Sequence, residues 1–118
     1  MEKDLTRLME ENLVSVWNER DANQRIKAIQ NIYTADSNLY HVGHQISGQN
    51  AINESVSNIQ INIPKSFNFF KLKPVTINNN IGRLIWGMGE NSESIVSTGM
   101  DIAVFENGKI KSLYVFLE

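Results

Sequence analysis

The fold is decided by the stretch Gly99-Met100-Asp101-Ile102-Ala103-Val104-Phe105, which is followed one residue later by Asn107-Gly108-Lys109-Ile110. Asn-Gly between two apolar runs is typical of the two-residue turn of a β-hairpin. We therefore predict two antiparallel strands, 95–105 and 109–117. Both faces of these strands carry apolar side chains, so both faces need a cover. We expect helices on one side and, on the other, a second copy of the chain that completes a homodimer.

Three shorter strands are predicted before this hairpin. Each is a largely apolar run bounded by polar turns, of which Asn78-Asn79-Asn80 is the clearest. In the longest run the large side chains of Leu84, Trp86 and Met88 share one face, which predicts that this face points inward. The three strands are expected at 67–72, 75–77 and 81–88.

Helical spacing dominates the first half of the chain. An apolar stripe from Leu5 to Trp17 predicts an amphipathic first helix, with Asn12 among its polar positions. Asp21 is a typical N-cap for a second helix, because its carboxylate can accept hydrogen bonds from the open backbone N–H groups. The apolar face of this second helix is expected to continue as far as Tyr33. A very short turn between the two helices predicts that they pack as antiparallel neighbours.

A short hairpin or irregular strand is predicted at 38–47. Both histidines of the protein, His41 and His44, lie in this segment. Ser47 is then predicted to cap a third helix, and Pro64 to end it, because proline removes a backbone donor. The predicted order is therefore two helices, a hairpin, a helix and an antiparallel meander.

Composition narrows the range of functions. With 118 residues the chain has the size of a single domain, 1–118. Its 11 basic and 13 acidic residues give a net charge of −2 and no basic cluster, which argues against a nucleic-acid partner. The lack of cysteine excludes disulfides, thiolate nucleophiles and iron–sulfur centres. No stretch has the apolar length of a membrane span or a signal peptide, so we expect a cytoplasmic protein without a membrane partner.

Three short motifs accompany the closing hairpin: Trp17-Asn18-Glu19-Arg20-Asp21, Tyr33-Thr34-Ala35-Asp36-Ser37 and Ser47-Gly48-Gln49-Asn50-Ala51-Ile52. Their order along the chain resembles that of the nuclear transport factor 2-like superfamily. The best fit is the SnoaL-like branch, which includes polyketide cyclases and ketosteroid isomerase. The resemblance implies an α+β fold in which three helices pack on a strongly curved, mixed or antiparallel β-sheet. Such a cystatin-like roll encloses a cone-shaped pocket.

The resemblance to ketosteroid isomerase also implies roles for single residues. Asp101 falls where that enzyme keeps a protonated aspartic acid that donates a hydrogen bond to an oxyanion. His41 falls at the position of the catalytic base, which is an aspartate in the enzyme. Leu13 stands where the enzyme has the tyrosine of its oxyanion hole, so half of that hole is missing. Related acid–base chemistry is therefore implied, but not steroid isomerisation by the same set of residues.

The side-chain chemistry of Asp101 and His41 also suits acid–base catalysis. Asp101 lies in an apolar strand, and removal from water raises the pKa of a carboxyl group, which then becomes a proton donor. The alternative is a structural aspartate that caps backbone groups or pairs with His41, Arg83 or water. His41 titrates near neutrality and suits a general base, but a hydrogen-bonded histidine on a hairpin is the alternative. His44 is expected to be exposed, and the two histidines lack the third ligand of a metal site.

The expected ligand is a small apolar molecule, bound without a cofactor or a metal, because motifs for phosphate loops and catalytic triads are absent. One hypothesis is a SnoaL-like binding domain with acid–base catalysis of the isomerase, cyclase or lyase type on an apolar substrate that contains a carbonyl group. The alternative is a non-catalytic ligand-binding or protein-interaction module that dimerises. The third is a structural dimer with a filled pocket that binds no ligand. Catalysis is assigned to His41 and Asp101, and the residues predicted to contact the ligand are Trp17, Tyr40, Trp86, Met88, Met100, Tyr114 and Phe116.

Overall fold

The computed structural model describes residues 1–118, and its elements follow the predicted order. The helices are α1 (Glu2–Glu11), α2 (Ala22–Ile32) and α3 (Gln49–Ile61), with a π-helical segment at Asn12–Trp17 that continues α1. The strands are β1 (Tyr33–His41), β2 (His44–Ser47), β3 (Asn68–Lys71), β4 (Thr76–Asn78), β5 (Ile81–Gly89), β6 (Ile95–Glu106) and β7 (Lys109–Leu117). None of the helices combines the length and the apolar character needed to cross a membrane.

The seven strands form one mixed sheet that does not close on itself. Its order is β2-β1-β7-β6-β5-β3, and β4 pairs with β5 beside β3. The pairing of β1 with β7 is parallel, and every other pairing is antiparallel. The helices cover the inner face of the sheet, where α1 contacts β5 and α3 contacts β1. The predicted α+β fold, with three helices on a mixed sheet, is therefore confirmed.

The first helix changes its geometry where it reaches the core. From Asn12 to Trp17 the backbone is π-helical, and the Asn18 N–H donates to the carbonyl of Leu13, five residues back. The wider turn brings consecutive residues inward, so Asn12 is buried together with Leu13. The assignment of Asn12 to the polar face of the helix was therefore wrong. Its side-chain oxygen accepts a hydrogen bond from the Tyr33 hydroxyl at 2.6 Å.

Two helix boundaries also differ from the predictions. Tyr33 begins strand β1 instead of ending α2, and its side chain points into the core. The N-cap of α3 is Gly48 and not Ser47, whose hydroxyl donates instead to Asn38 Oδ1 at 2.8 Å. A left-handed backbone at Gly48, with φ of 93°, explains why this cap is glycine. The prediction for Asp21 is confirmed, because its carboxylate caps α2.

A buried arginine ties α2 to α3. Arg25 has no exposed surface, and burial lowers the pKa of its guanidinium group. The group donates to the Glu19 carbonyl at 2.7 Å and to the Gln60 side chain at 2.8 Å, and it also bonds Asn53 and the Ser57 hydroxyl. Carbonyl, amide and hydroxyl oxygens thus satisfy this cation, and they hold the two helices in one position above the sheet.

The closing hairpin turns where the sequence predicts. Asn107 and Gly108 both have positive φ, 53° and 76°, as a type I′ turn requires. The ladder between β6 and β7 then contains a bulge, because Phe105 pairs with Ile110 whereas Val104 pairs with Ser112. A bulge adds one residue to one strand and reverses which residues of that strand face inward. This shift decides which side chains of β7 reach the cavity.

Candidate functional site

An apolar cavity of about 170 Å³ lies between the inner face of the sheet, the π-helical segment and the end of α3. Nine of its eleven lining residues are hydrophobic, and the other two are His41 and Asp101. The structure thus brings the two proposed catalytic residues to one cavity. The lining consists of Leu13, Trp17, His41, Ile59, Ile63, Phe69, Trp86, Met88, Asp101, Val115 and Leu117.

Strand register explains why these two residues face the same space. His41 of β1 pairs with Val115 of β7, and Val115 pairs with Asp101 of β6. Paired residues point to the same face of a sheet, so His41 and Asp101 belong to one row across three strands. Neighbouring strands lie ~4.8 Å apart, which separates the two backbones by roughly 10 Å. No hydrogen bond joins the two side chains, so a direct His41–Asp101 pair is not formed in this structure.

Asp101 is held by a tryptophan of the neighbouring strand. The Trp86 indole N–H donates to Asp101 Oδ1 at 3.0 Å, and both residues are buried. Gly99 makes this contact possible, because it pairs with Trp86 and leaves room for the indole ring to lie over its backbone. A Cβ atom at Gly99 would lie 2.2 Å from that ring. The other oxygen of Asp101 accepts no hydrogen bond from the protein and is free to contact a ligand.

The carboxyl group of Asp101 prefers its neutral form. Desolvation raises its pKa from 3.8 to about 7, and the hydrogen bond from Trp86 opposes this rise in part. No basic side chain pairs with it. A carboxylic acid that keeps its proton near neutral pH donates a hydrogen bond instead of only accepting one. Asp101 is therefore equipped to bind a carbonyl oxygen or an oxyanion.

His41 is the last residue of β1 and lies at the edge of the cavity. Its imidazole is half-buried, and burial together with the nearby His44 lowers its pKa below the ordinary value of 6.5. At neutral pH the ring is therefore uncharged and has one nitrogen free to accept a proton. His44 is exposed and pairs with His41 across the β1–β2 hairpin. No third histidine, cysteine or carboxylate joins them to form a metal-binding group.

Aromatic rings build the wall between the helix and the sheet. Phe69 packs edge-on against Trp86, with ring centroids 5.2 Å apart, and against Trp17, with centroids 6.0 Å apart. Asn18 positions this strand, because its side chain accepts from the Phe69 N–H at 2.7 Å and donates to the Phe69 carbonyl at 2.9 Å. A polar residue just after the helix thereby fixes the aromatic wall of the cavity.

Three of the residues predicted to contact a ligand, Trp17, Trp86 and Met88, lie in the cavity wall. Phe69 and Val115 lie there too, although the sequence analysis did not select them. Phe69 lies in the strand predicted at 67–72, where phenylalanines at 67, 69 and 70 place apolar side chains on both faces and do not identify the inner one. For Val115, the only signal was its position opposite Asp101 in the hairpin. Counting from the turn without the bulge places Tyr114 there instead.

Four other residues that were predicted to contact a ligand do not line this cavity. Tyr40 precedes His41 and Met100 precedes Asp101, and adjacent residues of a strand point to opposite faces. Tyr114 and Phe116 also lie on the outer face, because the bulge reverses the orientation of β7. The rings of Tyr40 and Tyr114 stack there with centroids 4.4 Å apart, and Phe116 is 54% exposed. These residues therefore form an apolar outer surface and not the pocket.

A second buried polar pair lies close to Asp101. The Tyr33 hydroxyl donates to Asn12, and desolvation with the nearby Asp101 charge raises the pKa of Tyr33, which stays protonated. The indole N–H of Trp17 lies near this hydroxyl and lowers that pKa, but it makes no hydrogen bond of regular geometry. Sequence reasoning missed this pair because Tyr33 was placed on a helix and Asn12 on a polar face.

Solved structures share this architecture. A proposed isomerase of the SnoaL-like family from Agrobacterium tumefaciens has a TM-score of 0.88 at 19% identity, with 98% of each chain covered. A nuclear transport factor 2-like protein of unknown function from Cytophaga hutchinsonii has a TM-score of 0.70 at 16% identity, covering 97% of this chain and 89% of the other. A protein with a cystatin-like fold from Methylobium petroleophilum has a TM-score of 0.75 at 13% identity, covering 99% and 77%.

No protein-family model matches the sequence, and no curated protein matches it either. At such sequence identities, the structural similarities establish the fold. The chain has the α+β fold of nuclear transport factor 2-like proteins, and its structural neighbours include SnoaL-like proteins. The resemblance seen in the sequence is thus confirmed at the level of the fold. Within that fold, this chain carries one carboxyl group and one imidazole in an otherwise apolar cavity.

Proposed function

We propose that the protein binds a small apolar molecule with a carbonyl group and catalyses proton transfer next to that carbonyl without a cofactor. The observation that carries this proposal is the pair of titratable groups, His41 and Asp101, in a cavity lined otherwise by hydrophobic residues. Apolar walls favour an apolar ligand, whereas the two polar groups orient it. The structural similarity to a proposed isomerase agrees with this reaction type.

The two residues take complementary roles in this reaction. Neutral His41 accepts a proton from the carbon next to the carbonyl, and the electron pair of the broken C–H bond moves to give an enolate. Protonated Asp101 donates a hydrogen bond to the oxygen on which the negative charge develops. The roughly 10 Å between the two backbones leaves room for the reacting atoms between the side chains. In a β,γ-unsaturated ketone the product of this step is a dienolate, and return of the proton to its γ-carbon completes an isomerisation to the conjugated ketone.

The oxyanion site differs from that of ketosteroid isomerase. Leu13 lines the cavity at the position that the resemblance assigns to a tyrosine, so it supplies no hydrogen bond there. Asp101 is then the main donor to the oxyanion, and Trp86 positions it. Loss of one such donor reduces a rate by ~10²-fold or more. A C–H bond that is acidified by both a carbonyl and a C=C bond, as in a β,γ-unsaturated ketone, suits a site with one donor.

The test is hydrogen–deuterium exchange at the α-carbon of a one-ring β,γ-unsaturated ketone, 3-cyclohexen-1-one, followed by NMR in D₂O. His41→Ala is expected to slow the enzyme-catalysed exchange by ~10²-fold, and Asp101→Asn by about tenfold or more, because an amide is a weak proton donor. Asn50→Ala is the matched control, since Asn50 is exposed on α3 and does not line the cavity. Exchange at the wild-type rate in His41→Ala that is still folded by circular dichroism would refute catalysis by this residue.

The pH profile gives a further check. The active form needs neutral His41 and protonated Asp101. His41 is neutral above its pKa, which lies below 6.5, and Asp101 is protonated below its pKa of about 7. We expect a bell-shaped rate with its maximum between these two values. A rate that continues to rise above pH 8 would contradict the role of Asp101 as a donor.

We also propose that the protein forms a homodimer through the outer face of the sheet. Tyr114 is 37% exposed and Phe116 is 54% exposed, and Met100 and Ile102 lie beside them on β6. Exposed aromatic and aliphatic side chains on one continuous sheet face are typical of a contact with another protein. A second copy of the chain is the partner that is always present.

Light scattering at micromolar concentration tests this contact. We expect a dimer mass for the wild type and a monomer mass for Phe116→Glu, because the added charge would lie unpaired in the contact. Val14→Glu is the control, since Val14 is 64% exposed and lies on the π-helical segment, which packs on the opposite face of the sheet. A monomeric wild type would refute the dimer and leave the outer face without an assigned role. The cytoplasmic location stays a prediction.

A further inference from the structure

A polar groove of about 500 Å³ lies between α3 and the β1–β2 hairpin. On α3 it is lined by Glu54, Asn58 and Asn62, which are spaced four residues apart and so share one face of the helix. On the hairpin it is lined by His44 and Gln45. Only three of the ten residues that line the groove are hydrophobic, in contrast to nine of the eleven that line the cavity.

The groove and the cavity meet at two residues. His41 and Ile59 line both spaces, so the groove adjoins the cavity beside the proposed catalytic base. A different groove also reaches His41 from the outer face of the sheet, but Tyr114 and Phe116 line it, and these belong to the proposed dimer contact. Of the two grooves beside the cavity, the polar groove is therefore the one that stays open in the proposed dimer.

The size of the cavity limits what it can enclose. Its volume of about 170 Å³ is close to the ~150 Å³ of a protein cavity that holds one benzene molecule. One six-membered ring, or a chain of similar volume, therefore fills it. A larger ligand must extend past His41, and the groove is where the rest of it would lie.

The groove also indicates the chemistry of that remaining part. The side chains of His44, Gln45, Glu54 and Asn58 form no hydrogen bond within the protein, so their donors and acceptors are free. No lysine or arginine lines the groove, and Glu54 places a negative charge in it. A phosphate or carboxylate would meet repulsion there without a permanent cation to balance it. Hydroxyl and amide groups match the free donors and acceptors.

We infer that the ligand is amphipathic, with a one-ring apolar end in the cavity and an uncharged hydroxyl- or amide-bearing end in the groove between α3 and the β1–β2 hairpin. The inference rests on the proposed function, because the apolar end is the part that carries the carbonyl group toward Asp101. The substrate class is then a compact carbonyl compound attached to a polar, uncharged group such as a sugar or an amide.

Three probes with one common ring test this inference: acetophenone, its 4-glucoside (4-acetylphenyl glucoside) and its 4-phosphate (4-acetylphenyl phosphate). Calorimetric titration is expected to give about tenfold tighter binding of the glucoside than of acetophenone, as two or more neutral hydrogen bonds provide. The phosphate is expected to bind no more tightly than acetophenone. Asn58→Ala should lower the affinity for the glucoside severalfold more than the affinity for acetophenone, whereas Asn50→Ala, on an exposed position of the same helix outside the groove, should leave both unchanged.

The possible failures are distinguishable. If acetophenone does not bind the wild-type protein, the proposed function fails and this inference fails with it. If acetophenone binds but the glucoside binds no more tightly, only the amphipathic ligand is refuted. Tighter binding of the phosphate would overturn the uncharged chemistry of the polar end. An equal loss of glucoside affinity in Asn58→Ala and Asn50→Ala would show that the groove is not where the polar end lies.

Discussion

Replacing Asp101 by asparagine should change how the stability of the protein depends on pH. The buried carboxyl group has a pKa of about 7 in the folded protein against 3.8 as its ordinary value. Above pH 3.8 the unfolded chain loses this proton, whereas the folded chain keeps it until about pH 7. The folded state therefore binds more protons across this window, and its stability falls as the pH rises through it.

The magnitude follows from the difference between the two pKa values. About 3 pKa units at 1.36 kcal/mol each give a loss of about 4 kcal/mol between pH 4 and pH 8. Asparagine has no proton to lose, and its carbonyl oxygen can still accept the hydrogen bond from Trp86. The free energy of unfolding of Asp101→Asn, relative to that of the wild type, is thus expected to rise by about 4 kcal/mol from pH 4 to pH 8.

Urea unfolding at several pH values measures this difference, with the buried indoles of Trp17 and Trp86 as fluorescent reporters. Other groups that titrate in this range, such as His41, are present in both chains and cancel in the comparison. A difference in unfolding free energy that stays constant from pH 4 to pH 8 would refute a raised pKa for Asp101. The proposed role as a hydrogen-bond donor at neutral pH would then be lost as well.

Three further changes test the packing around the site. Tyr33→Phe leaves the side-chain oxygen of Asn12 unpaired and should lower the free energy of unfolding by about 1–3 kcal/mol in urea, with the pH held constant. Gly99→Ala forces a methyl group against Trp86 and should destabilise by about 1–3 kcal/mol, with a changed near-ultraviolet circular dichroism spectrum; an unchanged spectrum would contradict the contact. Arg25→Lys keeps the charge but cannot reach acceptors spread over α3 and the turn before α2, so thermal unfolding should show a loss of about 3 kcal/mol, and full stability would be the contrary result.

The sequence was sufficient to predict the elements that depend on local signals. Asn107-Gly108 located the hairpin, because positive φ at two adjacent positions favours these residues. Asp21 located the start of α2, because an N-cap acts on backbone groups within three residues. Alternation in β5 identified its inner face through Leu84 and Trp86. Each signal lies within a few residues of the feature that it predicts.

The candidate site was predictable only in part, because local signals do not show which strands become neighbours. An aspartate in an apolar strand stands out in any sequence, so Asp101 was recognised, and the resemblance selected His41. Tyr114 and Phe116 lie on the outer face of the sheet and not beside Asp101. A hairpin without a bulge would pair Tyr114 with Asp101, whereas the bulge pairs Val115 with Asp101. Nothing in the local sequence distinguishes the two registers.

Tertiary structure decided the features that join distant parts of the chain. The π-helical turn buries Asn12 because Tyr33, on a strand 21 residues later, offers it a hydrogen bond in the core. Parallel pairing of β1 with β7 places His41 in the same row as Asp101, although 60 positions separate them in the sequence. Local propensity acts over one turn of helix or two residues of strand, whereas a cavity is made by the packing of surfaces that meet only when the whole sheet has formed. The sequence by itself thus determined the elements and the chemical groups, and the tertiary structure decided which of those groups face a common space.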